Sequence, residues 1–260
     1  KEYTAQDTLH HWERYQCCRL SLEGLQWIQV SDWRTTNEVI EKPPSGTPIY
    51  CAIDFSKSFD LTSLAVGWWD NGKINVKWFH WVVRDQHVKS VKRDYQRFVE
   101  NWNHHDNVTI CTHTIQYDSV KAKLEEIKGW GDLRRIGFDA FGGMSTEIQQ
   151  WGSLENNYNP ETDLPMWPLP QTIMSMGPAT YLLESLIRHK SIAMEKDDIV
   201  EYALANVQLE KNINGDRRPS KLKSMGIIDP IVSIVCLCAV MIKEGAERPG
   251  AYFDAGDIAC

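Results

Sequence analysis

The sequence lacks several things that would assign it to a familiar class. Its seven cysteines, at 17, 18, 51, 111, 236, 238 and 260, form no CxxC pair and are odd in number, and most lie in apolar segments. That usage argues against a thiolate metal centre and fits small hydrophobes in a reducing cytoplasm. The longest apolar stretch, 227–242, contains Asp229 and is shorter than the roughly 20 residues a bilayer span requires, so it reads as a core helix. No charged-then-apolar leader opens the chain, and Lys1 in place of Met reads as a fragment or a processed chain. A basic excess is also missing. The net charge of −7 is the opposite of the usual duplex-binding surface, so attraction to nucleic acid would need a local basic patch or a second, basic domain.

Two further motifs fail on inspection. The run Gly67-Trp68-Trp69-Asp70-Asn71-Gly72-Lys73 has the glycine and lysine spacing of a phosphate-binding loop, but position 74 is Ile where Ser or Thr should reach magnesium. It also falls in a hairpin, which excludes ATP binding there. The pairs His10-His11 and His104-His105 have no Cys or third His at ligand spacing, which argues against zinc.

What is present is an ordinary globular composition, 42% hydrophobic and 24% charged over 260 residues, enough for one large core or a domain with an appendage. Residues 1–46 are mixed and helix-prone, and end in the linker Lys42-Pro43-Pro44-Ser45-Gly46. A strand follows over 48–54, then strands over 61–69 and 74–82 around Asn71-Gly72, the strongest short hairpin cue. Beyond them the pattern predicts a helix over 86–101, a short strand at 108–112, a helix over 119–128 and a strand ending at Asp139. Helices are expected over 144–156 and 178–188, an irregular crossing over 156–170, and a late hairpin around Asn214-Gly215 before the Asp229 helix.

Three aspartates carry the chemistry. Asp54 and Asp139 end apolar runs, and Asp229 opens the apolar helix. Singly, each is explained as a turn residue or helix cap. Jointly, they place carboxylates at a sheet edge with no basic neighbour in sequence, and such a set repels itself unless a cation sits between its members. One or two hard ions are therefore expected, with Asp60 as an outer ligand across a tight turn. The densest positive stretch, Arg217, Arg218, Lys221 and Lys223, precedes Asp229 and is the candidate DNA-phosphate contact.

In order, Ile53-Asp54-Phe55-Ser56 with Asp60-Leu61-Thr62-Ser63-Leu64, then Ile136-Gly137-Phe138-Asp139, then Asn206-Val207 with Lys221, and finally Ile228-Asp229-Pro230-Ile231-Val232-Ser233 resemble the nuclease domain of the large terminase subunit of tailed bacteriophages. The resemblance covers about 49–243. It implies an α/β, ribonuclease H-like fold: a mixed sheet, with an antiparallel three-strand meander plus parallel strands, flanked by helices. It implies that Asp54, Asp139 and Asp229 hold Mg2+ or Mn2+, as two ions, in a metal-dependent endonuclease that cuts concatemeric double-stranded viral DNA during genome packaging. Residues 1–46 would be an arm from a missing ATPase domain, 47–245 the nuclease domain and 246–260 a tail. The implied partners are double-stranded DNA, the ATPase domain, the portal and the small terminase subunit, with no membrane, in the host-cell cytoplasm. Where family members often carry Lys directly before the last Ile-Asp, this chain has Ile227, so that role falls to Lys221, to Lys223 or to no residue. Two alternatives stay open: a Holliday-junction resolvase or transposase-like nuclease of the same fold, and a catalytically silent module docking a motor to a portal.

Overall fold

The computed structural model describes residues 27–56, 61–84, 102, 104–139, 148, 150–155, 157–224 and 226–245. The helix expected over 86–101 falls outside them, as do Asp60 and the histidine pair at 10–11.

A short helix α1 (Val30–Arg34) precedes the strands. Then come β1 (Pro48–Asp54), β2 (Thr62–Asp70) and β3 (Lys73–Val83), paired antiparallel in succession. The β2–β3 turn places Asn71 at φ 50° and Gly72 at φ 79°. Positive φ at both positions suits Asn-Gly and matches the turn to the strand twist, so the failed phosphate-loop motif is a hairpin tip. The short β4 (Val108–Cys111) joins β3 in parallel. After helix α2 (Tyr117–Lys128), strand β5 (Asp132–Phe138) runs parallel to β1, and the three-residue β6 (Met166–Pro168) runs parallel to β5.

Helix α3 (Ile173–Arg188) starts five residues before the expected 178. Thr172 Oγ1 accepts from the Ser175 amide as an N-cap, and Pro178 lies inside the helix instead of opening it. Strand β7 (Ile192–Met194) pairs with the start of β3. Helix α4 (Asp198–Asn206), the hairpin β8 (Leu209–Lys211) and β9 (Arg217–Pro219), and helix α5 (Asp229–Lys243) complete the chain. The main sheet therefore has the order β4-β3-β2-β1-β5-β6, with β7 beside β3.

The helix expected over 144–156 is not formed across 150–155, where the chain turns. Gly152 has φ 136°, and a Cβ there would stand 2.3 Å from the Leu164 carbonyl oxygen, a close approach that only glycine permits.

Strand alternation splits the core in two. Tyr50, Ala52, Ala65, Val76 and Trp78 face α3, α4 and α5, while Ile49, Cys51, Ile53, Val66, Trp68 and Trp81 face α2. Residues 27–40 also pack onto the domain, burying Ile28, Trp33 and Ile40. The Met194 amide donates to the Thr36 carbonyl. Cys51, Cys111, Cys236 and Cys238 are free and buried, as small hydrophobes. Among the described residues no helix is long and apolar enough to cross a membrane.

Candidate active site

Small residues bring α5 down onto the sheet. A Cβ on Gly67 of β2 would sit 2.8 Å from Leu237 Cδ2, and one on Gly137 of β5 would sit 2.5 Å from Val240 Cγ2. With Ala52 and Ala65 on the same face, the helix lies across β1, β2 and β5 without spacers. The first turn of α5 is thereby fixed at the end of β1.

The two-residue repeat then decides where the acids point. Asp54 shares a face with Ala52, and Asp139 shares one with Gly137, whose missing Cβ leaves room for Val240 of α5. The parallel register runs through Ala52 with Gly137 to Ile53 with Phe138, so Asp54 ends β1 and Asp139 follows β5 at the same end of the sheet. Asp54, two residues beyond Ala52 in β1, therefore lies on the α5 side. Asp229 arrives from above as the first residue of α5; the N-cap position is Ile228, which supplies no capping bond.

Asp54 and Asp229 are 2% and 3% exposed, and Lys221, on the turn after β9, reaches both. Lys221 Nζ lies 2.8 Å from Asp54 Oδ2 and 2.9 Å from Asp229 Oδ1. Burial raises the Asp229 carboxyl above the ordinary carboxylate range; the Lys221 charge opposes this and the Asp54 charge adds to it. At Lys221 burial acts against the charged form, but the two carboxylates outweigh it and hold the ammonium well above the usual lysine range. Asp54 Oδ2 is buried with no well-directed hydrogen bond despite the nearby ammonium, and Gln171 Nε2 reaches only the other oxygen, Oδ1, at 3.4 Å. Cys236 lies two turns along α5 from Asp229. Its thiol is pushed well up, first by burial and then by the charges of Asp54 and Asp139.

The sequence-predicted residues are thus partly gathered. Asp54 and Asp229 meet through Lys221, and Asp139 directly follows β5, the strand beside β1. As they stand, no three His, Cys, Asp or Glu side chains among the described residues converge closely enough to hold an ion. The basic stretch divides. Arg217 pairs with Glu184 at 2.5 Å and stacks over the Tyr181 ring, Arg218 pairs with Glu210 at 2.5 Å, and Lys223 is exposed near Glu210. Only Lys221 turns toward the acids.

Two contributors escaped sequence reasoning. Gln171 sits in a segment with no periodic pattern; recognising Met166–Pro168 as a strand parallel to β5 would have carried the loop after it to the Asp139 end of the sheet. Ser63, the cross-strand partner of Asp54, faces Ser233 of α5.

An antiparallel meander continued in parallel by β5 and flanked by helices defines a ribonuclease H-like fold. More particularly, the chain belongs to the terminase large-subunit family, as its endonuclease domain, whose family model matches residues 8–244. It is similar to the large terminase subunit of Enterobacteria phage HK97, with 26% identity over 232 residues, which are 88% of this chain and 44% of that protein. The crystal structure of the HK97 large terminase matches with a TM-score of 0.67 at 23% identity, over 82% of this chain and 43% of that one. A large terminase from a thermophilic bacteriophage matches with a TM-score of 0.51 at 10% identity, over 93% and 52%. The chain spans less than half the length of the HK97 relative.

Proposed function

We propose that this domain hydrolyses phosphodiester bonds of double-stranded DNA with divalent metal, cutting concatemeric viral DNA in genome packaging. One observation carries the reading: two carboxylates, each almost fully buried, are held side by side against a single cationic side chain. A structural ion pair needs one acid for one base. A second buried acid adds repulsion and desolvation, which raise the Asp229 carboxyl and which a divalent cation would offset.

The residues fit a metal ion. Asp54 Oδ2 is buried and lacks a well-directed donor, and hard oxygen donors are what Mg2+ and Mn2+ select. Asp54 and Asp229 would hold the ion, with Asp139 joining from β5. When bound, the metal supplies Lewis-acid polarisation of the phosphoryl group and a more acidic water. The chain's own part would be positional: β1 ends at Asp54, Asp139 follows β5, α5 opens at Asp229, and Gln171 reaches Asp54 through Oδ1. No protein nucleophile is required. Weak sequence preference follows, because phosphate contacts carry no base information directly.

The rest of the assignment belongs to the same proposal: a second ion, Asp60 as outer ligand, residues 1–46 as an arm from an ATPase domain, 47–245 as the nuclease domain with a tail beyond it, the portal and small subunit as partners, and the host cytoplasm as the site of action. Cleavage of linear plasmid with Mg2+ or Mn2+ tests the core of it. Asp54→Asn, Asp139→Asn and Asp229→Asn should each lower the rate at least about hundredfold, since a bound metal contributes several kcal/mol to the transition state. Undiminished cutting in excess EDTA, or by a folded Asp54→Asn variant, would overturn it.

A further inference from the structure

Lys221 stands apart from the acids it joins. Its side chain is 48% exposed, whereas those of Asp54 and Asp229 are 3% and 4% exposed. The lysine reaches in from the solvent side, and the carboxylates are anchored in β1 and α5. Its neighbour Leu222 is 97% exposed, so the turn that carries the lysine projects from the core. The arm can leave without unpacking anything, while neither acid can. Its ammonium also contacts Asp54 Oδ2 and Asp229 Oδ1, oxygens that an ion shared by these two acids would need.

We propose that Lys221 is a built-in counterion that competes with the divalent ion for Asp54 and Asp229, so that loading the site displaces the lysine arm and leaves its ammonium at the mouth of the site. The inference rests on the reading of these acids as metal ligands. It gives the carboxylate pair two alternating partners. With Lys221 inserted, one of the two buried carboxylate charges is compensated, which lets the site persist without metal; a divalent ion in its place compensates both. With Lys221 withdrawn, the same ammonium faces the side from which an anionic backbone would approach.

Calorimetric titration with Mn2+ alone, in the absence of DNA, tests this on the full chain and on Lys221→Gln, Lys221→Met and Lys221→Arg. The two neutral variants should bind Mn2+ at least about tenfold more tightly than the parent, because a unit positive charge a few ångströms from the ion has been removed. Lys221→Arg should stay near the parent. In EDTA the neutral variants should melt below the parent, and Mn2+ should raise their melting temperature further than it raises the parent's. The parent chain supplies a readout that needs no variant: Mn2+ should increase acylation of the Lys221 amine severalfold over that of Lys223, measured by mass spectrometry. Equal or weaker Mn2+ binding by the neutral variants, or Lys221 labelling unchanged by Mn2+, overturns the inference. If Asp54→Asn abolishes Mn2+ binding while the lysine variants bind like the parent, the counterion role alone falls. If neither the parent nor the neutral variants bind Mn2+, the metal reading falls with it.

Discussion

Ser63 and Ser233, 170 residues apart in the chain, face each other with their hydroxyl oxygens 3.3 Å apart, and neither is exposed to solvent. Ser63 is the cross-strand partner of Asp54, and Ser233 lies one turn beyond Asp229 and donates to the Pro230 carbonyl. One polar contact therefore links β2, at the position paired with Asp54 of β1, to the helix bearing Asp229. It lies on the α5 face of the sheet, between β2 and the first turns of α5.

That contact predicts a measurable coupling. Ser63→Ala and Ser233→Ala should each destabilise by about 1–2 kcal/mol, because each leaves a buried hydroxyl short of a partner. The double variant should cost less than the sum by roughly 0.5–1 kcal/mol. Urea unfolding of the four proteins measures this. Strict additivity would show that the two hydroxyls do not interact.

The approach of α5 to the sheet predicts an overpacking effect at Gly137. A methyl group there would meet Val240 Cγ2 at 2.5 Å, inside contact distance. Gly137→Ala should therefore cost about 1–3 kcal/mol despite the lower flexibility of alanine in the unfolded chain. Trimming the partner, as in Gly137→Ala with Val240→Ala, should return part of the loss relative to Val240→Ala alone. Denaturant midpoints decide it; a Gly137→Ala protein as stable as the parent would mean that α5 shifts freely on β5.

These two contacts also show which parts of the molecule the sequence discloses. Strands β1, β2 and β3 and helix α5 were legible because alternation, the Asn71-Gly72 turn and a long apolar run are local signals. Strands β6 and β7 have only three residues each, too few for a periodic pattern to emerge. Helix α4 went unread although Asp197 caps it, accepting from the Ile199 and Val200 amides at 2.8 and 3.0 Å. Asp54 and Asp229 were visible from their placement at element ends. The Lys221 contact was not, since the lysine is 167 positions from Asp54 in sequence and only the hairpin turn brings it back. Sequence density grouped Arg217 and Arg218 with Lys221, whereas their ion pairs with Glu184 and Glu210 separate them.

Asp197 gives a pH prediction. Burial works against its charge, but His80 at 3.1 Å, Asn107 at 2.6 Å and the Val200 amide outweigh that and hold the carboxyl well below the usual carboxylate range. A folded-state value below the unfolded one means that the stability it contributes is present in full above the unfolded value, near pH 4, and is lost as the pH falls toward the folded value. Asp197→Asn should thus destabilise by roughly 2–3 kcal/mol at pH 7 and flatten the fall in stability between about pH 5 and 2. Chemical unfolding across that range checks it, and an unchanged acid slope would remove Asp197 from the account.

The basic segment should separate into two functions. Arg217 and Arg218 are partly buried in pairs with Glu184 and Glu210, so their charge is already answered within the protein. Arg217→Ala and Arg218→Ala should each cost about 1 kcal/mol in stability, the scale of a partly screened pair, and change the salt dependence of duplex binding little. Lys223 is exposed, and Lys221 becomes available wherever its carboxylates are otherwise neutralised, so these two should carry the phosphate contacts of the segment. Replacing all four with Ala should weaken binding to every duplex sequence alike and reduce the slope of log affinity against log salt, by about one unit for each phosphate no longer engaged. The double variant Lys221→Ala, Lys223→Ala should reproduce most of that reduction, and the arginine pair should not. Filter binding across a salt series, measured in Ca2+ so that the acids are neutralised and no strand is cut, provides the comparison. If the arginine pair changes the slope as much as the lysine pair, then DNA opens the Glu184 and Glu210 contacts and its path crosses the β8–β9 hairpin. If none of the variants changes it, the duplex lies on another face.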